Sequence, residues 1–199
     1  MAKDGNIEGG TMGRIEGQLR DIKLYGRKMV REGLVSSRFG NISVNDGQHI
    51  HITRSCSMLD LLEDDDIIKV TLHGEDPNDE VASLETRVHR LIYNETPHRA
   101  IVHGHPVYAV ALSMINEHEI GSVDMEGTHF VPTIPIVDGE PGSEELARNL
   151  TEKLREYPAG VARGHGVFCA AESVRQAYIW LCIVEHACQI KYLVENAKQ

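Results

Sequence analysis

The 199-residue sequence has little positive charge compared with its negative charge. It contains 20 Lys and Arg residues against 30 Asp and Glu residues, so the formal net charge is −10. Such a surplus of acid repels the phosphates of nucleic acids and the headgroups of anionic lipids. We therefore expect neither a nucleic-acid-binding protein nor a membrane-surface protein.

The chain also lacks a long apolar segment and a paired-cysteine motif. Its longest uninterrupted apolar run, 177–184, is far shorter than the ~20 residues that a bilayer span requires. The four cysteines, Cys56, Cys169, Cys182 and Cys188, form no CxxC pair, and three lie in apolar stretches, which favours reduced, buried thiols. The first residues contain no apolar stretch typical of a secretory signal, so we expect a cytoplasmic protein.

What the chain does contain is typical of one globular domain, with 41% hydrophobic and 25% charged residues. No internal repeat or long linker divides it, so we predict a flexible, Gly-rich tail over 1–13 and a single domain over 14–199. Apolar spacing predicts helices over 14–32, 83–96, 107–115, 143–157 and 170–194, and strands over 41–44, 49–53, 67–71, 100–105 and 131–137, with more after 161. Interleaved strands and helices favour an α/β fold with a mixed or antiparallel sheet.

Two of the eleven histidines, His103 and His105, lie two positions apart on the strand predicted over 100–105. The strand period of two points both imidazoles to the same side of the sheet, where they could hold a divalent metal. The same pattern also fits a pair of core histidines. Burying two imidazoles without a shared partner costs desolvation free energy, which makes a ligand role more attractive, and the pair taken alone leaves both interpretations open.

Three further residues are candidates for the same site. His165 lies between two glycines, which allow a close approach of the backbone. Glu85 lies at the start of the helix predicted over 83–96, where a carboxylate could complete a metal shell or act as a base. His89 follows one turn later, and we assign it a core or hydrogen-bonding role rather than direct ligation.

Five motifs occur in a recognisable order: FGNISV, ITxS, SxExxxHRLIY, IVHGHPVYAVALS and GHGVFCAAESVRQAY. Together they resemble the class II aldolase/adducin family over residues 14–194. The resemblance implies that His103, His105 and His165 bind zinc and that Glu85 is both a possible ligand and the acid/base. It also implies a single three-layer α/β/α domain around a mostly antiparallel central sheet, assembled as a homotetramer with active sites between subunits.

In the aldolases that the chain resembles, a substrate phosphate is held by a Gly-Asn pair, a Thr-Gly pair and a Ser pair. The matching positions here are Gly40 and Asn41, Ser55 and Cys56, and Ser83 and Leu84. Gly40, Asn41, Ser55 and Ser83 are therefore the predicted substrate-binding residues. Cys56 adds bulk and Leu84 removes a hydroxyl, so the sequence leaves open a phosphate, a carboxylate or no anion on the substrate.

The resemblance implies a zinc-dependent aldolase, although Mn²⁺ or Co²⁺ could occupy the same ligands. The expected reaction cleaves a ketose or ketose 1-phosphate to a dihydroxyacetone (phosphate) fragment and an aldehyde through a metal-stabilised enediolate. A metal-dependent decarboxylase, dehydratase or epimerase of a related hydroxy-keto compound is the alternative, and a non-catalytic adducin-like module is a third. The family's proton-donating tyrosine has no match in 119–130, where Asp124, Glu126 and His129 are candidates.

Overall fold

A central eight-stranded sheet organises the computed structural model, which describes residues 7–197. Its strands are β1 (Asn41–Asn45), β2 (His49–Thr53), β3 (Ile67–Thr71), β4 (Ala100–Gly104), β5 (Glu119–Gly121), β6 (Thr133–Val137), β7 (Ala159–Ala162) and β8 (Gly166–Ala171). They lie in the order β3-β2-β1-β4-β8-β7-β6-β5. The β4 strand, which carries His103, therefore lies near the centre of the sheet.

The sheet is mixed rather than wholly antiparallel, so one pair of strands departs from the antiparallel pairing that was expected. β6 and β7 pair in parallel, whereas the other neighbouring strands in the described chain pair antiparallel. Parallel neighbours cannot be joined by a hairpin and need a crossover connection, which an intervening helix provides here. The α/β fold class itself is confirmed.

Six α-helices cover the two faces of the sheet in the described residues. They are α1 (Ile7–Arg31), α2 (Thr86–Glu95), α3 (Val107–Ile115), α4 (Met125–Phe130), α5 (Glu144–Leu154) and α6 (Val174–Asn196). One apolar core lies between the sheet and α1, α3 and α6, and a second lies between the sheet and α2 and α5. The molecule is therefore a three-layer α/β/α domain. Within residues 7–197, none of these helices is both long and apolar enough for a membrane crossing.

Several predicted boundaries need correction. The first helix begins at Ile7 rather than at 14, so the expected tail over 1–13 is helical from Ile7 onward. Residues 1–6 lie outside the described part of the chain. Residues 116–130, which the sequence leaves as a loop between the predicted helix 107–115 and the predicted strand 131–137, contain β5 and α4. The last helix begins at Val174 because 170 and 171 belong to β8.

Candidate metal centre and active site

Three histidines meet at one end of the central strands. His103 is the fourth residue of β4, and His105 follows that strand directly before Pro106, the cap of α3. His165 lies in the three-residue loop that joins β7 to β8. Because β4 pairs with β8, the loop is carried beside the end of β4. The ring centroids of the three imidazoles are 4.8 to 5.1 Å apart.

The nitrogen atoms of the His103, His105 and His165 rings converge on a common point. One potential ligand atom from each residue lies within 4.8 Å of the others. Nε2 of His103 lies 3.0 Å from Nε2 of His105, close to the ~3.3 Å that two nitrogens would span around a tetrahedral zinc ion. Nδ1 of His103 lies 3.0 Å from the Val167 carbonyl oxygen, which can only accept, so Nε2 keeps its lone pair.

All three imidazoles are held in the neutral form, which is the form that binds metals. Burial, followed by the repulsion of His105 and His165, holds the pKa of His103 well below its usual value. Burial and the neighbouring His165 lower the pKa of His105 to about 4, and burial alone lowers the pKa of His165. The cluster is therefore uncharged and electron-rich at neutral pH.

Glu85 adds a buried carboxylate to this cluster. It is the residue before α2, and its Oε1 lies 3.7 Å from Nε2 of His165. Its Oε2 accepts a hydrogen bond of 3.1 Å from the Gly142 backbone N–H. Burial raises the pKa of Glu85 to about 7, against the opposing effect of the Gly142 bond. Both protonation states of the carboxyl are therefore populated near neutral pH.

Aromatic rings and a glycine fix the orientation of the histidines. Phe168 stacks on His103 with ring centroids 3.9 Å apart, and Phe39 stacks on His105 at 5.7 Å. Gly166 leaves room for both imidazoles, because a Cβ built there would lie 2.7 Å from Cε1 of His103 and 2.7 Å from Cδ2 of His105. The side chains around the site therefore permit little rotation of these rings.

The predicted substrate-binding residues lie on segments that meet at the same end of the sheet. Asn41 pairs with His103 across β1 and β4, and among the described residues its buried Oδ1 has no hydrogen-bond partner. Gly40 has a positive φ of 74°, and a Cβ there would lie 2.5 Å from the His103 carbonyl oxygen. Ser83 is buried, and its Oγ accepts a hydrogen bond from the Glu85 N–H. Ser55 is exposed, and its N–H donates to the Val81 carbonyl, which joins its turn to the segment before Glu85.

The two departures from the aldolase phosphate motif are both exposed in the structure. Cys56 has a positive φ of 61°, so the turn keeps a backbone conformation that favours glycine although the residue is not glycine. Leu84 is 70% exposed and directly precedes Glu85. An apolar side chain is therefore presented to solvent where a serine hydroxyl was expected.

His89 has the buried, hydrogen-bonded position that was predicted for it. Its Nδ1 lies 2.7 Å from Oγ of Ser43, which in turn lies 2.6 Å from the Tyr93 hydroxyl. Burial lowers the pKa of His89 to about 3. The side chain ties α2 to β1 behind the cluster and is not one of the three grouped histidines.

The structure does not bring the candidate proton donors to the cluster within one chain. Asp124 accepts a hydrogen bond from the Gly127 N–H and caps α4, on which Glu126 and His129 are exposed. Among the described residues, no hydrogen bond or ion pair joins these side chains to the histidines or to Glu85. Their assignment remains a prediction.

Sequence reasoning missed the residues that support the cluster from a distance. Gly142 lies 57 residues from the carboxylate that it contacts, and no local pattern links the two. Phe168 could have been inferred, because it pairs directly with His103 once β4 and β8 are aligned. Phe39 is the first residue of the FGNISV motif, in which only Gly40 and Asn41 were assigned a function, so its contact with His105 was missed.

The donor set fits a divalent transition-metal ion. Three neutral imidazoles with converging nitrogens and an adjacent buried carboxylate match the ligands that zinc prefers in catalytic sites. The hydrogen bond from Nδ1 of His103 to a backbone carbonyl is the usual support of a metal-bound histidine. The fold and this site together define a candidate metalloenzyme of the α/β class.

Comparison with known proteins identifies the family. The model of the family described as "Class II Aldolase and Adducin N-terminal domain" matches residues 20–192, and the chain belongs to this family. An L-fuculose phosphate aldolase from Methanococcus maripaludis is 33% identical over 177 residues, which cover 88% of this chain and 93% of that protein. The predicted resemblance is thereby confirmed.

Two further relatives broaden the comparison. A methylthioribulose-1-phosphate dehydratase from Gluconacetobacter diazotrophicus is 34% identical over 167 residues, covering 76% of this chain and 81% of that protein. The crystal structure of L-fuculose-1-phosphate aldolase from Thermus thermophilus superposes with a TM-score of 0.86 at 32% identity, covering 92% and 96% of the two chains. These relatives are lyases, and the prediction of a lyase-type enzyme is confirmed.

Proposed function

We propose that the protein is a zinc-dependent class II aldolase that cleaves a ketose or ketose 1-phosphate to a dihydroxyacetone (phosphate) fragment and an aldehyde. The observation that carries this proposal is the cluster of three neutral imidazoles with the Glu85 carboxylate 3.7 Å from one of them. The similarity to L-fuculose phosphate aldolases supports it.

His103, His105 and His165 would hold the metal, with zinc as the proposed ion and Mn²⁺ or Co²⁺ able to take its place. When bound, the cation would supply a Lewis acid that stabilises negative charge on a substrate oxygen. Gly166 and Phe168 keep the imidazoles in place, and Glu85 is close enough to serve as a fourth ligand before the substrate binds.

Glu85 is the proposed acid/base. In a retro-aldol reaction a hydroxyl proton leaves, a carbon–carbon bond breaks, and the dihydroxyacetone fragment takes up a proton at carbon. Glu85 would transfer the proton at that carbon, because it is the acidic side chain beside the histidines. The Gly142 N–H fixes one carboxylate oxygen and leaves Oε1 turned towards the cluster. A positioned base of this kind typically contributes 10²–10⁴-fold to the rate.

Gly40, Asn41, Ser55 and Ser83 are the proposed substrate-binding residues. The unpaired Oδ1 of Asn41 beside β4 supports this role, because a buried polar atom without a partner costs free energy unless a ligand or water satisfies it. The hydroxyls of Ser55 and Ser83 can donate hydrogen bonds to an anionic group, with Leu84 forming an apolar neighbour.

The test is exchange of a dihydroxyacetone phosphate proton with solvent deuterium, followed by NMR. We expect exchange with the zinc-loaded protein, none after the metal is removed, and recovery when zinc is added back. Glu85→Gln should retain zinc and lose exchange at least 10²-fold, whereas His103→Ala should lose the zinc itself. Absence of exchange in fully metallated protein would overturn the aldolase assignment.

A dehydratase acting on a methylthioribulose 1-phosphate is the second candidate. It is favoured by the 34% identity to the Gluconacetobacter enzyme and by the exposed Leu84 beside the cluster. Loss of water from this compound by the zinc-loaded protein, without deuterium exchange into dihydroxyacetone phosphate, would select the dehydratase over the aldolase. Release of carbon dioxide from keto acids by the zinc-loaded protein would test decarboxylation. Inversion at C4 of a ketose phosphate would test epimerisation.

We also propose that the enzyme is a homotetramer with a sugar or sugar-phosphate substrate. Several large apolar side chains on and around α3 and α4 are exposed, which is typical of a surface covered by other subunits. They are Val107, Met114, Ile115, Val123, Met125 and Phe130. Light scattering should give four times the mass of the 22.1 kDa chain, and a monomer would contradict the assembly.

A further inference from the structure

The loop that carries His165 is held by one arginine. The guanidinium of Arg163 donates to the backbone carbonyls of Ser113 at 2.7 Å, Asn116 at 2.8 Å and Glu117 at 2.6 Å. Its Nε donates to Oδ1 of Asp138 at 2.7 Å. Arg163 thus caps the C-terminal end of α3, where carbonyl groups lack helical partners and a positive charge is favourable.

The next residue of the loop is attached to the same helix. The Gly164 N–H donates to Oγ of Ser113 at 2.9 Å, and Gly164 has the positive φ of 67° that this three-residue hairpin loop requires. The Ser113 hydroxyl is buried and donates to the Val110 carbonyl. Two consecutive loop residues are therefore fixed to the last turns of α3 immediately before His165.

Helix α3 connects the two halves of the histidine cluster. It begins directly after His105 and Pro106, and its end binds the loop of His165. Its first N–H groups, from Tyr108 and Ala109, each donate at 3.0 Å to the Glu185 carboxylate. A carboxylate at the start and a guanidinium at the end both match the helix dipole. The helix is therefore a rigid connection between the backbone at His105 and the loop that carries His165.

We propose that Arg163 is a positioning residue, which places the His165 imidazole in the metal site by fixing the hairpin loop to α3. This role rests on the proposed metal function of the three histidines. It requires no contact of Arg163 with the substrate or the ion. Loss of the guanidinium would leave His103 on β4 and His105 directly after it in place, and would release the third ligand.

The first test is a titration with Co²⁺ alone, followed by its visible absorption. We expect Arg163→Gln to bind Co²⁺ roughly 10- to 100-fold more weakly than the parent, the range typical of residues that support metal ligands. Arg163→Lys keeps the charge and part of the hydrogen bonding, and should recover part of the affinity. Arg155→Gln is the matched control, because Arg155 also joins two elements, through Glu95, at the far end of α2 from Glu85.

A double-mutant cycle separates positioning from general structural damage. If Arg163 acts through His165, Arg163→Gln should weaken Co²⁺ binding no further in a chain that already carries His165→Ala. An equal loss in both backgrounds, or wild-type affinity in Arg163→Gln, would overturn the proposal.

NMR of the metal-free protein keeps this test independent of the proposed metal function. The His165 ring signals, assigned by their loss in His165→Ala, should shift or broaden in Arg163→Gln and stay unchanged in Arg155→Gln. Unchanged signals in Arg163→Gln would overturn the positioning role. Failure of the unmutated protein to bind Co²⁺ or zinc would instead overturn the metal centre, with the NMR result still deciding how the loop is held.

Discussion

At the scale of single residues, Gly166 is where one methyl group should disturb the metal centre most. In Gly166→Ala the new Cβ would lie 2.5 Å from the Gly104 carbonyl and 2.7 Å from both His103 and His105. We predict that the substitution lowers the free energy of unfolding by about 1–3 kcal/mol and weakens zinc binding at least tenfold. Urea denaturation of metal-free protein and a competitive chelator titration measure the two effects.

Gly160→Ala provides the control for this prediction. It adds the same methyl group to the neighbouring β7, where the nearest atom is Cδ2 of Leu150 at 3.2 Å, in the core away from the histidines. It should affect stability without reducing zinc affinity. Equal zinc affinity in both variants would show that Gly166 does not set the imidazole geometry.

His89 should make the stability of the protein depend on pH. Its pKa is about 3 when folded and about 6.5 in an unfolded chain. Between these values the unfolded chain binds a proton that the folded chain does not, so stability falls as pH decreases below 6.5 and is unaffected above it. We predict that His89→Asn, although less stable at pH 7, loses about 2 kcal/mol less than the parent on going from pH 7 to pH 5.

Urea denaturation of the metal-free proteins at the two pH values is the measurement. His118→Asn is the matched control, because the His118 side chain is exposed. If the free energy of unfolding falls equally in the His89 variant and the parent between pH 7 and pH 5, His89 is charged when folded, in conflict with its burial.

At the scale of elements, α3 depends on the charges that hold its two ends. Glu185→Gln removes the negative charge that accepts from the Tyr108 and Ala109 N–H groups. We predict a loss of about 1 kcal/mol in the free energy of unfolding, as for other capping groups. Glu145→Gln in the exposed first turn of α5 should cost less than half as much. Equal losses in a denaturant series would argue against a special role for Glu185.

Elements with local signals were predictable from the sequence, whereas those fixed by distant contacts were not. Pro106 and Ser143 mark the starts of α3 and α5, and both helices begin at the following residue. α4 has six residues and little apolar periodicity, so its sequence alone predicts a loop. α2 begins at Thr86 rather than near Ser83. The Ser83 hydroxyl accepts from the Glu85 N–H and the Ser83 carbonyl accepts from the Thr86 hydroxyl, so Ser83 lies in a turn that precedes the helix.

The same distinction applies to the site. The histidines and Glu85 could be identified because each lies in a short motif. The bonds from Gly142 to Glu85 and from Arg163 to the carbonyls of α3 span about fifty residues, and only the folded chain shows them. The ligand set was therefore predictable, but the supports that orient it were not.

At the scale of the whole molecule, the exposed apolar side chains should control assembly. Met125 is 91% exposed on α4, and a lysine there would place a charge in a subunit interface. We predict that Met125→Lys lowers the mass measured by light scattering. Leu61→Lys, at a residue 62% exposed in the turn before β3, should leave the mass unchanged. An unchanged mass in Met125→Lys would place the interface elsewhere.

The pairing of β4 with β8 also determines when the metal centre can form during folding. The His103 side chain and the Val167 carbonyl, which this pairing brings within hydrogen-bond distance, are 64 residues apart, so the contact forms only after a long loop has closed. Co²⁺ present during refolding should therefore be captured in the last phase, after the local β1–β2 hairpin has formed. The time of metal uptake would therefore report when the strands in the middle of the sheet pair. Metal supplied early in folding would not speed the process, because its binding site has not yet formed.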